Sequence, residues 1–198
     1  MSAISIQGNA GGTGTLTVAA PSTNTNRTLT LPDGTGTFTV AGVNSNIVAG
    51  TSVASTSGTS IDFTSIPTWV KRITVMFNGV STSGTSNILL QLGTSSGVET
   101  TSYVSGNANV STTVTNNTST QGHLVDSSVA GTNVDYGHAI ITLISGNTWV
   151  GSSQVNNAGV SKIGNSSKAL AGTLDRVRIT TVNGTDTFDA GTINILYE

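Results

Sequence analysis

The chain has 198 residues and a net charge of −2, with seven Lys and Arg, nine Asp and Glu, and no cysteine. So sparse and scattered a positive charge argues against electrostatic binding of nucleic acid, and the missing cysteine excludes disulfides, thiolate metal sites and cysteine nucleophiles. Roughly half of the residues are Gly, Ser, Thr or Asn, well above ordinary usage, yet Pro is scarce and β-branched residues are frequent, which indicates a turn-rich all-β protein rather than a disordered one.

The N-terminus, Met1 to Gly8, carries neither a basic region nor an apolar one, so no secretory signal is expected. Three alternating tetrads follow: Thr15-Leu16-Thr17-Val18, Thr28-Leu29-Thr30-Leu31 and Thr37-Phe38-Thr39-Val40. Alternation places the apolar members on one strand face and the threonines on the other. Such short strands lack the bulk for a core of their own, so this region is expected to be stabilised from outside. Leu16, Val18, Leu29, Leu31, Phe38 and Val40 are the candidate attachment residues. Pro32-Asp33-Gly34 is a turn signal, and Val53 to Ser60 reads as a linker. The expected division is an extended arm over residues 1–55 and a distal domain over 56–198.

In the second part, Ile61-Asp62-Phe63 predicts a short strand, and Ser65 to Trp69 a buried corner around Pro67. Val70 to Phe77 is the strongest strand signal; Asn78-Gly79 is expected to end it and Ile88 to Leu92 to answer it. Short strands are expected near Glu99–Val104 and Ala108–Thr115. Ala139 to Val150 reads as a hairpin turning at Gly146-Asn147. In Leu174 to Thr181, Val177 and Ile179 face one way, Arg176 and Arg178 the other. Thr192 to Tyr197 is expected to run antiparallel to that strand. About eight strands with long connections predict an antiparallel β-sandwich, jelly-roll-like. Its expected core includes Phe63, Phe77, Trp69 and Trp149. No apolar run reaches membrane-spanning length, so no membrane insertion is expected.

Candidate chemistry is thin. His123 and His138 lie near Asp126 and Asp135, but at no metal-like spacing, so no metal or other cofactor is expected. No Gly-x-Ser-x-Gly elbow appears. Asp126 with Asp135 is the conceivable carboxylate pair for glycoside hydrolysis. Tyr103 and Tyr136 flank the polar, loop-rich middle, where binding residues sit on a rigid scaffold. Tyr103, His123, Asp126, Asp135 and Tyr136 are therefore the candidate receptor-binding residues, with no catalytic residue assigned. Arg176 and Arg178 suit either an exposed sheet face or an ion pair with Asp175 or Asp189 of a neighbouring subunit.

Two stretches resemble tail-fibre proteins of tailed bacteriophages, often cyanophages. Ala20 to Phe38, with Thr28-Leu-Thr-Leu-Pro-Asp-Gly-Thr-Gly-Thr-Phe38 at its core, is similar to a phrase repeated in such fibres. Ile61 to Gly84, with Pro67, Trp69 and Lys71-Arg72 in order, resembles the start of a domain at their distal ends. The two cover less than half of the chain. The resemblance implies a homotrimeric structural protein of the virion, made in the host cytoplasm. Its arm would attach to a tail or baseplate protein, and its distal β-domain to a host surface glycan or protein. It supplies no catalytic residues. The rival readings are a phage polysaccharide depolymerase or esterase and a non-viral carbohydrate-binding adhesin.

Overall fold

The computed structural model describes residues 47–198, together with Gly11 and Asn24. The three tetrads, and with them Leu16, Val18, Leu29, Leu31, Phe38 and Val40, lie outside the described residues.

Fourteen strands are present among the described residues, every pairing is antiparallel, and there is no helix. They are β1 (Val48–Ala49), β2 (Val53–Ala54), β3 (Ser60–Phe63), β4 (Arg72–Thr82), β5 (Ile88–Thr94), β6 (Gly97–Val98) and β7 (Val104–Val110). After them come β8 (Thr115–Ser119), β9 (His123–Asp126), β10 (Asp135–Ser145), β11 (Thr148–Asn157), β12 (Val160–Ala169), β13 (Arg176–Thr181) and β14 (Phe188–Tyr197). One sheet has nine strands in the order β1-β14-β4-β10-β11-β12-β7-β8, with β2 also on β14. The other has five, β3-β13-β5-β6, with β9 beside β5. The expected antiparallel β-sandwich is thus present.

Alternation builds the core. Ile73, Val75 and Phe77 of β4, Ala139 and Ile141 of β10, and Ile193 and Ile195 of β14 point inward from the larger sheet. Ile61 and Phe63 of β3, Leu90 and Leu92 of β5, and Val177 and Ile179 of β13 meet them from the smaller. Trp149 is buried as expected. Burying each of these large side chains contributes about 1.5–3 kcal/mol.

Several expectations are corrected. Strand pairing begins before residue 56: Val48 and Ala49 pair with Tyr197 and Leu196, and Val53 and Ala54 with Ile193 and Thr192. Ser55 is buried and donates its hydroxyl to the Ala190 carbonyl at 2.8 Å. Backbone pairing needs no apolar bulk, so a stretch with a linker's composition adds strands to the edge of the sheet. The strand from Val70 does not end at Asn78-Gly79. Gly79 takes φ 68° and β4 continues to Thr82. The opposing Gly191, at φ 91°, approaches so closely that a Cβ there would lie 2.3 Å from the Gly79 carbonyl oxygen. Only glycine fits that crossing.

Two expected neighbours lie in opposite sheets. β5 pairs with β13, not β4, and β14 pairs with β4, not β13. The loops between them cross the sandwich instead of closing hairpins. The β10–β11 hairpin turns at Gly146-Asn147 as expected. The strand expected at Glu99–Val104 is a loop, and β7 starts where it should have ended. Trp69 is not a core residue. It follows Pro67 in the β3–β4 connection, stays half exposed and packs on the Tyr197 ring, with centroids 5.9 Å apart. Ile66 and Val70 fill the core there instead.

Candidate functional site: a buried polar seam and an open groove

Four of the five candidate receptor-binding residues are interior. Tyr103, His123, Asp126 and Asp135 are each at most 2% exposed. Of the five, only Tyr136, on the outer face of β10, is open to solvent. The burial follows from an inversion of pattern. On β7 the inward residues are Ser105, Asn107 and Asn109, while Val104 and Val110 point outward. On β12 Lys162 and Lys168 point inward, while Ile163 points outward.

The cause is β9. One edge of β9 pairs with β5, and the strand lies over the inner face of β7 and β12. Its second edge would leave backbone groups buried without partners, which is costly. Inward polar side chains satisfy them. Ser105 Oγ accepts from the Leu124 N–H at 2.9 Å, and Asn107 Nδ2 donates to the Val125 carbonyl at 3.1 Å. A register shift in β9 sets Asp126 opposite Ile88 and His123 opposite Leu90. Both side chains therefore turn toward the larger sheet.

There His123 Nδ1 meets Ser166 Oγ at 2.9 Å, while Nε2 has no hydrogen-bond partner. Burial pushes the imidazole down to about 4, because the charged ring would lose its hydration there. Asp126 accepts Lys162 Nζ at 2.6 Å, and both side chains are almost wholly buried. Asn157 Nδ2 reaches Asp126 and Asp135, each at 3.1 Å. Burial, and then the Asp126 charge beside it, push Asp135 up to about 7.

At the far end of β12, Lys168 pairs with Glu99 at 2.6 Å and stands 5.2 Å from the centre of the Tyr103 ring. Burial works against the Glu99 carboxylate, but its bonds from Lys168 and the Ala171 N–H hold it below the usual range. The Tyr103 hydroxyl accepts from the Leu92 N–H at 2.7 Å, and burial raises it above its ordinary range. Four of the candidate residues thus serve in separate buried polar contacts along the seam, with Asp126 and Asp135 shielded from any large substrate.

Close approach of β9 also depends on Gly164, where a Cβ would lie 2.5 Å from the Leu124 carbonyl oxygen. Gly164→Ala is expected to destabilise the chain by about 1–3 kcal/mol through overpacking. Thermal unfolding followed by circular dichroism measures it.

The exposed feature with a rigid floor lies on the outer face of the five-stranded sheet. A groove of about 500 Å³ is floored by Ser60 of β3, Arg178 and Thr180 of β13 and Gln91 of β5. Thr101, Gln121 and Asn183 also border it. Register places Asp62, Arg178 and Gln91 in one row across three strands. Asp62 accepts from Arg178 Nε at 2.7 Å and from Nη2 at 3.0 Å. This fork fixes the guanidinium within one chain, on an exposed sheet face. Asp62 also holds Arg178 protonated, above its ordinary range. Arg176 likewise pairs with Asp175 of its own chain, at 3.0 Å. Gln91 is anchored by donating Nε2 to the Gln121 carbonyl at 2.9 Å.

A second depression of about 500 Å³ between Thr94–Glu99 and Ala171–Thr173 is walled largely by loops. The groove offers the firmer platform. Sequence reasoning missed Gln91, Thr180 and Gln121, whose types are too common in this chain to stand out. The signal within reach was the outward Arg178, one strand from Asp62.

Among the described residues, no group of three or more His, Asp or Glu is placed to hold a metal. Comparison with protein families, with curated proteins and with solved structures finds no match.

Proposed function

We propose that this protein is a non-enzymatic tail-fibre component of a tailed bacteriophage, a homotrimer that adheres to the host surface through the groove on its five-stranded sheet. The observation that carries the adhesive part of the reading is that groove. Its floor is made of paired strands, its one cation is clamped by Asp62, and its other polar groups are hydroxyls and amides. Such groups both donate and accept, which suits the hydroxyls of a surface glycan. The N–H groups of Arg178 that Asp62 leaves free add a directed donor.

The wider assignment rests on the resemblance of Ala20–Phe38 and Ile61–Gly84 to tail-fibre proteins. In this reading the residues before the sandwich, with their three tetrads, form the arm that docks on a tail or baseplate protein. The sandwich stands at the distal end, in the virion. Each groove binds weakly, and linking three of them turns weak contacts into avidity.

The rival reading, a depolymerase, would need its carboxylates in contact with substrate. Asp126 and Asp135 are enclosed in the seam, and Asp126 is committed to Lys162. Incubating the full chain with bacterial surface polysaccharides separates the two. Adhesion without new reducing ends is expected; new reducing ends that vanish in Asp135→Ala would replace it with the enzyme.

A further inference from the structure

We infer that the outer face of the nine-stranded sheet, across β10, β11, β12 and β7, is where this chain packs against another copy of itself. The inference rests on the homotrimer reading and assigns the surface that makes it.

The inversion that fills the seam with polar groups has a second consequence on the opposite face. Val104 is 76% exposed, Ile163 48% and Val110 41%, all on adjoining strands. Register sets Ile163 beside Ala108, with Tyr136 and Ile140 further across the same face. Apolar residues that alternate toward water on two paired strands are the reverse of a solvated sheet face. Polar side chains were spent inward on β9, and the apolar positions were left outside.

Charge decides what covers them. The charged residues of these four strands are Asp135, Lys162 and Lys168, and all three are buried on the inner side. No Lys, Arg, Asp or Glu projects from their outer face. Arg72, at a corner on neighbouring β4, is neutralised by Glu198 at 3.2 Å. A charged partner would lose hydration here and find no counter-charge. A second copy brings no charge to desolvate, and its Ser, Asn and Gln side chains can donate to and accept from their counterparts.

Size limits what this face supplies. Four strands at ~4.8 Å spacing, each ~23 Å long, give a face on the order of 440 Å² in projection. A standard interface takes about 800 Å² from each partner, so the face forms the centre of the contact and neighbouring surface completes it.

The test is the mass of the full chain by light scattering at micromolar concentration, with circular dichroism to check the fold. The parent is expected at three times the 19.9 kDa chain mass. Ile163→Lys and, independently, Val104→Lys put a like charge on every copy at solvated positions. Each is expected to raise the concentration at which the assembly dissociates by more than about tenfold. Thr101→Lys, at an exposed position bordering the groove on the other sheet, is expected to leave it unchanged. If both face variants keep the parent mass over the same dilution range, the face is not the interface, whatever the parent's state. Dissociation by Thr101→Lys alone would move the interface to the smaller sheet. A trimeric parent with unaffected face variants overturns this inference only; a monomeric parent overturns the trimer reading with it.

Discussion

Lys162→Met is expected to lower the unfolding free energy by about 3–5 kcal/mol, the usual cost of removing one partner of a buried ion pair. The ammonium lies 2.6 Å from Asp126, and neither side chain reaches solvent. Met fills the volume of the stem but leaves the Asp126 carboxylate in the interior without its counter-charge. The remaining bonds, from the Ser128 N–H at 2.8 Å and Asn157 at 3.1 Å, do not replace it. Adding Asp126→Asn to Lys162→Met should recover part of the loss. An amide oxygen still accepts from Ser128, and neither charge of the pair remains. Urea unfolding of the three chains measures both effects. A loss below about 1 kcal/mol in the single variant would be typical of a surface pair, and would contradict the enclosed seam.

Asp135→Asn is expected to change the pH dependence of stability rather than only its level. An ordinary aspartate titrates near 3.8, and burial beside Asp126 pushes Asp135 up to about 7. Between those values the native chain holds a proton that the unfolded chain has released. Stability from this group is therefore fully present below 3.8 and is lost as pH rises through about 7. His123 acts in the opposite sense. Its ordinary value is 6.5, and burial pushes it down to about 4. Its contribution is present above 6.5 and is lost as pH falls through about 4.

The two windows overlap, so the parent chain should show a shallow profile between pH 4 and 6.5. Asn at position 135 mimics the protonated acid: its carbonyl accepts from Asn157 and its amide donates toward Asp126. The variant should lose the decline toward pH 7 and unmask the rise that His123 produces. At about pH 8 it should be more stable than the parent by on the order of a few kcal/mol. Unfolding midpoints from about pH 4 to 8 test this, and parallel profiles for the two chains would contradict it.

The fold was readable in the sequence wherever strands bury apolar residues on one face. Arg72–Phe77, the hairpin at Gly146-Asn147, and Val177 with Ile179 all stand as their alternation requires. Pairing partners were less accessible. β4 with β5, and β13 with β14, are neighbours in sequence that lie in opposite sheets. Alternation gives a strand its faces but not its sheet.

The middle of the chain misled for a definite reason. The alternation of β7 is clear, but apolar-in is the default, and this strand runs polar-in because it must satisfy the open edge of β9. Nothing local in Val104 to Val110 announces that distant edge. For the same reason His123, Asp126 and Asp135 resembled surface binding groups and are interior anchors instead. The groove escaped notice because Thr, Ser and Gln carry no distinguishing signal in a chain made largely of small polar residues. Only its Asp62–Arg178 pair had a pattern to find.

Adhesion through that groove is tested most directly by binding the labelled full chain to an array of bacterial surface polysaccharides, alongside Arg178→Ala. Asp62 and Arg178 are both partly solvated, so their separation should leave the sandwich folded. Retention of the parent chain on at least one polysaccharide is expected, with retention by Arg178→Ala lower by about tenfold or more once avidity multiplies the loss at each groove. Equal retention of the two chains would place the receptor contact elsewhere on the protein, and no retention of either would contradict glycan adhesion.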